Sequence, residues 1–267
     1  MNIYKYELRT YIKSTIIWCL SLMALLFVFM SVYPSFSADA AILDNIIQYY
    51  PEALLKAFGM NNALSLSTVF GYFAFCYIFI QLCMAIQSSY YGFQCLSIEE
   101  SELTADFLMS KPVSRKKIIV SKFLAAFTSL TVTNAFVWIG SFLSLLAFSN
   151  GNEYEAKNLI LLLAITPLFQ LFFLSIGMLI SVCLKKIRSV LSFSMGISFG
   201  FYVLHALEGI VGGNLLGIIN PFNHFDPVFI LSKAHYNIGM LLLSIAITLV
   251  SLTATYFLYI KRDIQAV

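Results

Sequence analysis

Five side chains that could bind a metal ion lie between residues 205 and 235. They are His205, Glu208, His224, Asp226 and His235. Imidazole and carboxylate groups are good ligands for zinc, so together they could surround such an ion. A segment of this length can equally hold each residue separately, satisfied by water or by a backbone group. We therefore predict no metal site in this chain.

Sequence motifs for other kinds of catalysis are absent. The chain has no G-x-x-x-x-G-K-[ST] loop, so it cannot bind ATP phosphates in that way. It also has no H-E-x-x-H and no G-x-S-x-G. We predict that this chain is not an enzyme and carries no cofactor of its own.

Three amide side chains, Gln81, Asn134 and Gln170, interrupt long apolar stretches near their midpoints. Polar groups within a membrane commonly form hydrogen bonds between helices, worth about 0.6–2 kcal/mol. The functional alternative is that they line a translocation path. No Asp or Glu lies in the middle of these stretches, although proton-coupled transporters usually carry such acids. Energy for any transport must therefore come from outside this chain.

The apolar stretches predict an all-α polytopic membrane protein. Hydrophobic residues make up 60% of the chain and charged residues 11%, far from the composition of a soluble domain. A helix needs roughly 20 mainly apolar residues to cross a hydrocarbon core of about 30 Å. Six transmembrane helices are predicted, over residues 14–33, 68–93, 123–148, 158–184, 190–207 and 238–260.

The basic residues predict the orientation of these helices. Thirteen of the sixteen Lys and Arg residues fall on one side: Lys5, Arg9, Lys13, Lys111, Arg115, Lys116, Lys117, Lys122, Lys185, Lys186, Arg188, Lys261 and Arg262. The other side holds Lys56, Lys157 and Lys233. Cytoplasmic loops collect Lys and Arg. We therefore predict that both termini are cytoplasmic.

Residues 1–267 are predicted to form one transmembrane domain with distinct segments outside the spans. Residues 1–13 carry basic side chains at i, i+4 and i+8, which predicts an N-terminal interfacial helix facing anionic lipid. A cytoplasmic extension of the first span is the alternative. The outer loop, residues 34–67, has helical periodicity. Pro51 suits a first helical turn there and Gly59 a cap, so one or two short amphipathic helices are expected.

Glycines mark two further features around the fifth span. Gly196 and Gly200 form a G-x-x-x-G pair, which suits close helix packing. Beyond the span, residues 208–237 remain partly apolar and predict an outer or re-entrant segment. Non-helical backbone at membrane depth is tolerated only where protein or a water-filled cavity covers it.

The five cysteines are predicted to be free, buried thiols. Four lie inside predicted spans and one lies at a cytoplasmic edge, namely Cys19, Cys76, Cys83, Cys183 and Cys95. None is placed where an oxidising compartment would pair it.

The cytoplasmic segment 94–122 has the features of a docking surface. Ser97 and Glu100 have the spacing of a capping box, which predicts that a helix starts there. Glu99, Glu100, Glu102 and Asp106 would then make its early turns acidic. Leu103 and Phe107 would form an apolar stripe, Pro112 would end the helix, and Ser114 would cap the next one. For the lysines alone, the alternative is a solvated loop that only follows the charge rule.

Three stretches resemble bacterial ABC transporter permeases of the ABC-2 type. The loop Ile98-Glu-Glu-Ser-Glu-Leu-Thr-Ala-Asp-Phe-Leu-Met-Ser-Lys-Pro-Val-Ser-Arg-Lys-Lys-Ile is similar to the family's paired acids, Thr-x-Glu-Phe-Leu-Leu run and Lys-Pro-Val-Ser-Arg. Tyr50-Pro-Glu-Ala-Leu-Leu-Lys-Ala-Phe-Gly and Asn220-Pro-Phe-Asn-His-Phe-Asp-Pro agree with the same family. This chain differs in having Leu103 for the usual Gly, Asp106 for Glu, and His224 where Tyr is frequent.

The resemblance implies a six-span permease subunit of an ATP-driven exporter, multi-pass in a bacterial cytoplasmic membrane. Such a subunit pairs with a second permease copy or a paralogue, and separate ABC ATP-binding subunits hold ATP and Mg. By the resemblance, the residues that contact the ATPase are Glu99, Glu100, Asp106, Phe107, Pro112, Val113, Ser114 and Arg115. Membrane lipids are expected partners, and nucleic acid is not.

Two other functions remain as alternatives. One is a membrane-embedded enzyme built around His205, Glu208 and His224 on the outer face. The other is a non-transporting scaffold or sensor that binds a partner through the cytoplasmic loop.

Overall fold

The computed structural model describes residues 3–38, 49, 51, 55, 64–101, 113–149, 151–184, 187, 189–211 and 214–261. Regular structure within these ranges is helical, which confirms the all-α prediction. The helices are α1 (Ile3–Ala38), α2 (Val69–Ser101), α3 (Arg115–Phe148), α4 (Ala156–Cys183), α5 (Val190–Val211), α6 (Asn214–Ile219), α7 (Pro221–His224), α8 (Pro227–Lys233) and α9 (Ile238–Lys261).

The six predicted spans correspond to α1–α5 and α9, each long and apolar enough to cross a membrane. The first helix contains 36 residues. At 1.5 Å per residue it is about 54 Å long, well beyond the roughly 30 Å hydrocarbon core. Residues 3–13 therefore continue the first span as one unbroken helix, with Lys5, Arg9 and Lys13 exposed. The predicted contact of this segment with lipid headgroups stays a prediction.

Helices α1 and α3 run parallel and contact each other along most of their length. The hydroxyl of Tyr4, near the start of α1, is 3.1 Å from that of Thr128, in the first half of α3. At the other end, the side chain of Asn152, which follows α3, donates to the Tyr33 hydroxyl at 3.1 Å. The starts of α1 and α3 therefore lie at the same end of the bundle.

Helices α2 and α4 are also parallel, because the Tyr77 hydroxyl lies 2.8 Å from that of Thr166, and Ser181 donates to the Phe93 carbonyl at 3.3 Å. Helix α5 is antiparallel to α2, with Phe193 beside Phe93.

These directions bring both ends of the described chain to one end of the bundle. The helix ends that meet there are Ile3, Ser101, Arg115, Cys183, Val190 and Lys261. We call this the basic end, because the four clusters of Lys and Arg adjoin these helix ends in sequence. An even number of spans returns a chain to the side on which it began, so the packing agrees with the six spans predicted from hydropathy.

A glycine on each helix brings α2 and α4 close together. A methyl group at Gly92 would lie 2.4 Å from the Leu174 carbonyl oxygen, and one at Gly177 would lie 2.8 Å from the Ser89 carbonyl oxygen. Such distances are too short for a carbon–oxygen contact, so both positions require glycine. By contrast, Gly196 and Gly200 are exposed, and no atom of the described chain would touch a methyl group there. The prediction that this pair packs a helix closely is therefore wrong within this chain.

The segment 94–122 differs from its prediction at one boundary. Helix α2 continues through Ser97 to Ser101, and the buried Ser97 hydroxyl donates to the Phe93 carbonyl at 2.8 Å. A capping box at Ser97 is therefore wrong, because a serine inside a helix can bind the carbonyl four residues earlier. The prediction for Ser114 is confirmed, since its side chain accepts from the Lys117 backbone N–H at 3.4 Å and caps α3.

Most of residues 39–63, within the predicted outer loop, lies outside the described residues. Helix α1 extends into this loop as far as Ala38. Leu55 is helical, and its N–H donates to the Pro51 carbonyl at 3.2 Å, as a first turn at Pro51 requires. The remainder of the predicted amphipathic helices, including Gly59, is outside the described part.

Candidate functional site: the basic end and the polar core

The residues expected to contact an ATPase lie in the loop that joins α2 to α3 and on either side of it. Asp106, Phe107 and Pro112 lie outside the described residues. Glu99 and Glu100 belong to the last turns of α2, but their side chains are also outside the description. Their partner contacts stay predictions.

The other three predicted contact residues, Val113, Ser114 and Arg115, are described. Val113 packs against the buried cluster at the basic end, and Ser114 is exposed. A guanidinium nitrogen of Arg115 donates to the Ile260 carbonyl at 3.3 Å. A cation is favourable at the C-terminus of a helix, where the backbone dipole is negative. Arg115 thus joins the start of α3 to the end of α9.

Five helix ends form one packed cluster beside this loop. Its buried members include Ile3 of α1, Cys95 of α2, Ile119 of α3, Met178 of α4 and Tyr259 of α9. Buried apolar side chains in close contact resist relative movement of their helices. Both ends of the loop are therefore attached to a compact assembly rather than to separate helices.

Lys122 lies inside the basic end and not on its surface. Its side chain is 0% exposed, its ammonium donates to the Cys95 carbonyl at 2.8 Å, and the Glu7 carboxylate is 3.8 Å away. The sequence placed Lys122 among the cytoplasmic basic residues. Nothing in the local pattern indicated a partner 115 residues earlier in the chain, so sequence reasoning missed this pair.

Asn134 and Gln170 form a direct link between α3 and α4. The Asn134 side chain donates to the Gln170 amide oxygen at 2.5 Å, and both residues are buried. Next to them, the Gln87 amide donates to the Thr133 hydroxyl at 2.9 Å, which adds a polar contact from α2. The second amide atoms of Asn134, Gln170 and Gln87 have no hydrogen-bond partner among the described residues. The structure therefore gathers polar groups from three helices at the centre of the bundle.

Gln81 makes a different contact. Its amide donates to the Phe225 carbonyl at 2.8 Å, in the turn between α7 and α8. Gln81 is twelve residues into α2, which is about 18 Å along the axis at 1.5 Å per residue. The turn therefore reaches deep into the bundle, and Gln81 provides a hydrogen bond to its backbone.

The segment after α5 packs back into the bundle. Phe222 and Phe225 are buried and lie edge-on to Phe169 of α4, with ring centroids 5.4 and 5.6 Å apart. The Asn158 side chain donates to the Leu231 carbonyl at 3.1 Å. Residues 220–233 thus pack against α2 and α4.

The Asn220-Pro and Asp226-Pro pairs explain the local structure of this segment. The Asn220 side chain accepts from the Phe222 N–H at 3.1 Å and caps α7. The Asp226 carboxylate accepts from the Val228 N–H at 2.9 Å and caps α8. In both helices proline occupies the first turn, where its missing N–H costs little. The motif thus encodes two consecutive short helices.

Of the five candidate metal ligands, His205, Glu208 and Asp226 lie close enough to interact electrostatically, whereas His224 and His235 have other partners. His205 and Glu208 both hydrogen-bond to the Asn223 side chain. The imidazole of His224 lies 2.6 Å from the Ser244 hydroxyl and 2.9 Å from the Ile218 carbonyl oxygen. His235 contacts the Lys233 carbonyl at 2.9 Å. Within the described residues, no three His, Cys, Asp or Glu side chains are arranged to hold a metal ion.

Burial controls the charge of two groups in this segment. It lowers the pKa of His224, which favours the neutral imidazole. That form can donate to the Ile218 carbonyl and accept from the Ser244 hydroxyl at the same time. Burial also raises the pKa of Asp226, an effect that nearby His205 opposes. His224 thus contacts Ser244 of α9, and Asp226 caps α8.

None of the five cysteines forms a disulfide, as predicted. Cys19, Cys76 and Cys95 are buried and Cys83 is half-buried. Cys183 is exposed at the end of α4, so its predicted burial is wrong: it occupies the last helical position, where fewer neighbouring helices cover it.

Comparison with known proteins gives one family. A model of the family described as "ABC-2 family transporter protein" matches residues 1–264. A search of curated proteins found no match for this chain.

Proposed function

Because this chain belongs to the ABC-2 transporter family, we propose that it is the permease subunit of an ATP-driven exporter. Proteins of this family are membrane components of transporters that work with ABC ATP-binding subunits. In the proposed complex, the ATP-binding subunits hold ATP and Mg and dock at the basic end. A second permease copy or a paralogue completes the membrane part.

The observation that carries this proposal is the packing of the basic end. The ends of α1, α2, α3, α4 and α9 share one buried cluster beside the loop between α2 and α3. A partner that pushes on the loop would therefore act on several spans at once, because closely packed elements move together. A scaffold or sensor would not require that the loop be attached to so many spans.

Co-purification tests the proposal. The tagged chain, purified from the membranes of its native host, is expected to carry an ABC ATP-binding subunit with it in a complex of two permeases and two ATPases. Native mass spectrometry measures this stoichiometry, and ATP hydrolysis measures the activity. A chain that purifies without any nucleotide-binding protein would contradict the proposal and favour the alternative functions.

We also propose that the basic end faces the cytoplasm of a bacterial cell. In a background with Cys183 changed to Ser, Lys116→Cys should react with a membrane-impermeant maleimide only after the cells are opened. Lys116 is exposed at the start of α3. Glu153→Cys, exposed at the opposite end, is the matched control and should react in intact cells. Labelling of Lys116→Cys from outside would reverse the orientation.

The role of Gln81, Asn134 and Gln170 in a translocation path stays a prediction. In single-cysteine proteins, path residues replaced by Cys should react with a small water-soluble thiol reagent during ATP turnover. Native Cys19, buried between α1 and α3, is the control that should stay unreactive. If Asn134→Cys and Gln170→Cys are as inert as Cys19 throughout turnover, these amides only connect helices.

A further inference from the structure

A buried ion pair lies where both ends of the loop meet the first helix. Lys122 is two turns into α3 and wholly buried, whereas the side chain of Glu7 in α1 retains 12% of its exposure. The Lys122 ammonium is 3.8 Å from the Glu7 carboxylate and donates to the carbonyl of Cys95, near the end of α2. The side chain of Lys122 thus joins the beginning of α3 to the beginning of α1 and the end of α2.

Burying a lysine costs free energy that burying an apolar side chain of the same volume does not. Removing an ammonium group from water is costly, and its attraction to a carboxylate repays that cost only where the geometry is very good. Apolar side chains of similar volume often stabilise a protein equally well. Buried ion pairs are, however, directional, and can specify the relative position of the elements that they join.

The position of the pair relates it to the loop. Residues 102–112 connect α2 to α3, so Lys122 bridges the two helices from which the loop emerges. Through Glu7 it adds α1, which contacts α3 from Tyr4 to Cys19. We propose that Lys122 and Glu7 are positioning residues that link the loop to α1, so that a displacement of the loop moves α1 and α3 together. This inference rests on the proposed function, in which an ATP-binding subunit displaces the loop.

The test uses the complex of this chain with its ATP-binding subunit, reconstituted in liposomes. The main variant is Lys122→Met combined with Glu7→Leu, which replaces both charges by apolar groups. We expect thermal stability and complex assembly close to those of the wild type. The stimulation of ATP hydrolysis by the permease, per assembled complex, should fall at least about fivefold, the lower range of coupling between sites. Lys117→Met removes an exposed charge from the same helix and should change neither quantity.

The two readouts separate positioning from simple packing. If the pair only filled space, the double variant would keep both its stability and its stimulation of hydrolysis, and the inference would be overturned. If the double variant does not fold, Glu7→Gln decides, because this partly exposed site tolerates a neutral side chain of the same shape. Glu7→Gln should lower stimulation with little change in assembly, and wild-type stimulation would overturn the inference. A wild-type chain that binds no ATP-binding subunit would instead contradict the proposed function itself.

Discussion

Gly177→Ala is expected to destabilise the bundle by about 1–3 kcal/mol, the usual range for overpacking a close contact. The added methyl group would lie 2.8 Å from the Ser89 carbonyl oxygen and 3.2 Å from the Cα atom of Gly92. These neighbours are backbone atoms of α2, so they can move away only if the helices separate. The measurement is thermal unfolding of the purified protein in detergent, and Gly92→Ala should behave in the same way.

Gly196→Ala is the matched control for this prediction. It is the same chemical change in a spanning helix, but the new methyl group would face open space. Because alanine favours the helix over glycine by roughly 0.5–1 kcal/mol, the control should be neutral or slightly stabilising. Equal unfolding temperatures for Gly177→Ala and Gly196→Ala would show that the close crossing of α2 and α4 is incorrect.

Phe107→Ala is expected to uncouple the ATP-binding subunit from the permease while the spans remain folded. If Phe107 is buried in a groove of the partner, its removal should weaken docking by roughly 1.5–3 kcal/mol. That corresponds to about a 10- to 150-fold loss of affinity. Pull-down of the ATPase and ATP hydrolysis by the reconstituted complex measure the effect. Phe136→Ala, a half-exposed phenylalanine within α3, is the control and should leave docking unchanged.

Charge reversal at the end of α2 should produce a related but distinct defect. Glu99→Lys combined with Glu100→Lys would repel a basic partner surface and alter its register and association rate more than its packing. The loss should therefore depend on salt concentration, whereas that of Phe107→Ala should not. Wild-type docking and hydrolysis in properly inserted Phe107→Ala protein would mean that the loop is a solvated connection.

The sequence correctly predicted structural features that depend only on a residue and its near neighbours. The Ser114 cap needs only a serine before a helix and a free N–H three residues later, and the structure contains it. The same argument failed at Ser97, where the spacing of a capping box occurs inside a continuing helix. A cap motif does not itself stop the preceding helix, because the apolar residues around Ser97 still gain from packing in α2.

The sequence predicted residues of the candidate site but not their contacts. Hydropathy identified Gln81, Asn134 and Gln170 as polar residues at the middle of spans, but not that Gln81 binds a turn of the segment after α5. Likewise, a glycine pair on one helix suggested close packing at Gly196, whereas the structure uses single glycines on two different helices. Pairs of this kind have no signature in either segment alone.

The sequence by itself determined the six apolar spans, the common end of the bundle at which the described chain begins and ends, and the Ser114 cap of α3. These follow from transfer of side chains out of water and from hydrogen bonds between near neighbours, which act locally. Only the tertiary structure decided which faces meet: Lys122 with Glu7, and Gly92 with Gly177. In lipid every apolar face is nearly equivalent, so the choice of partner depends on close packing and polar contacts between distant residues.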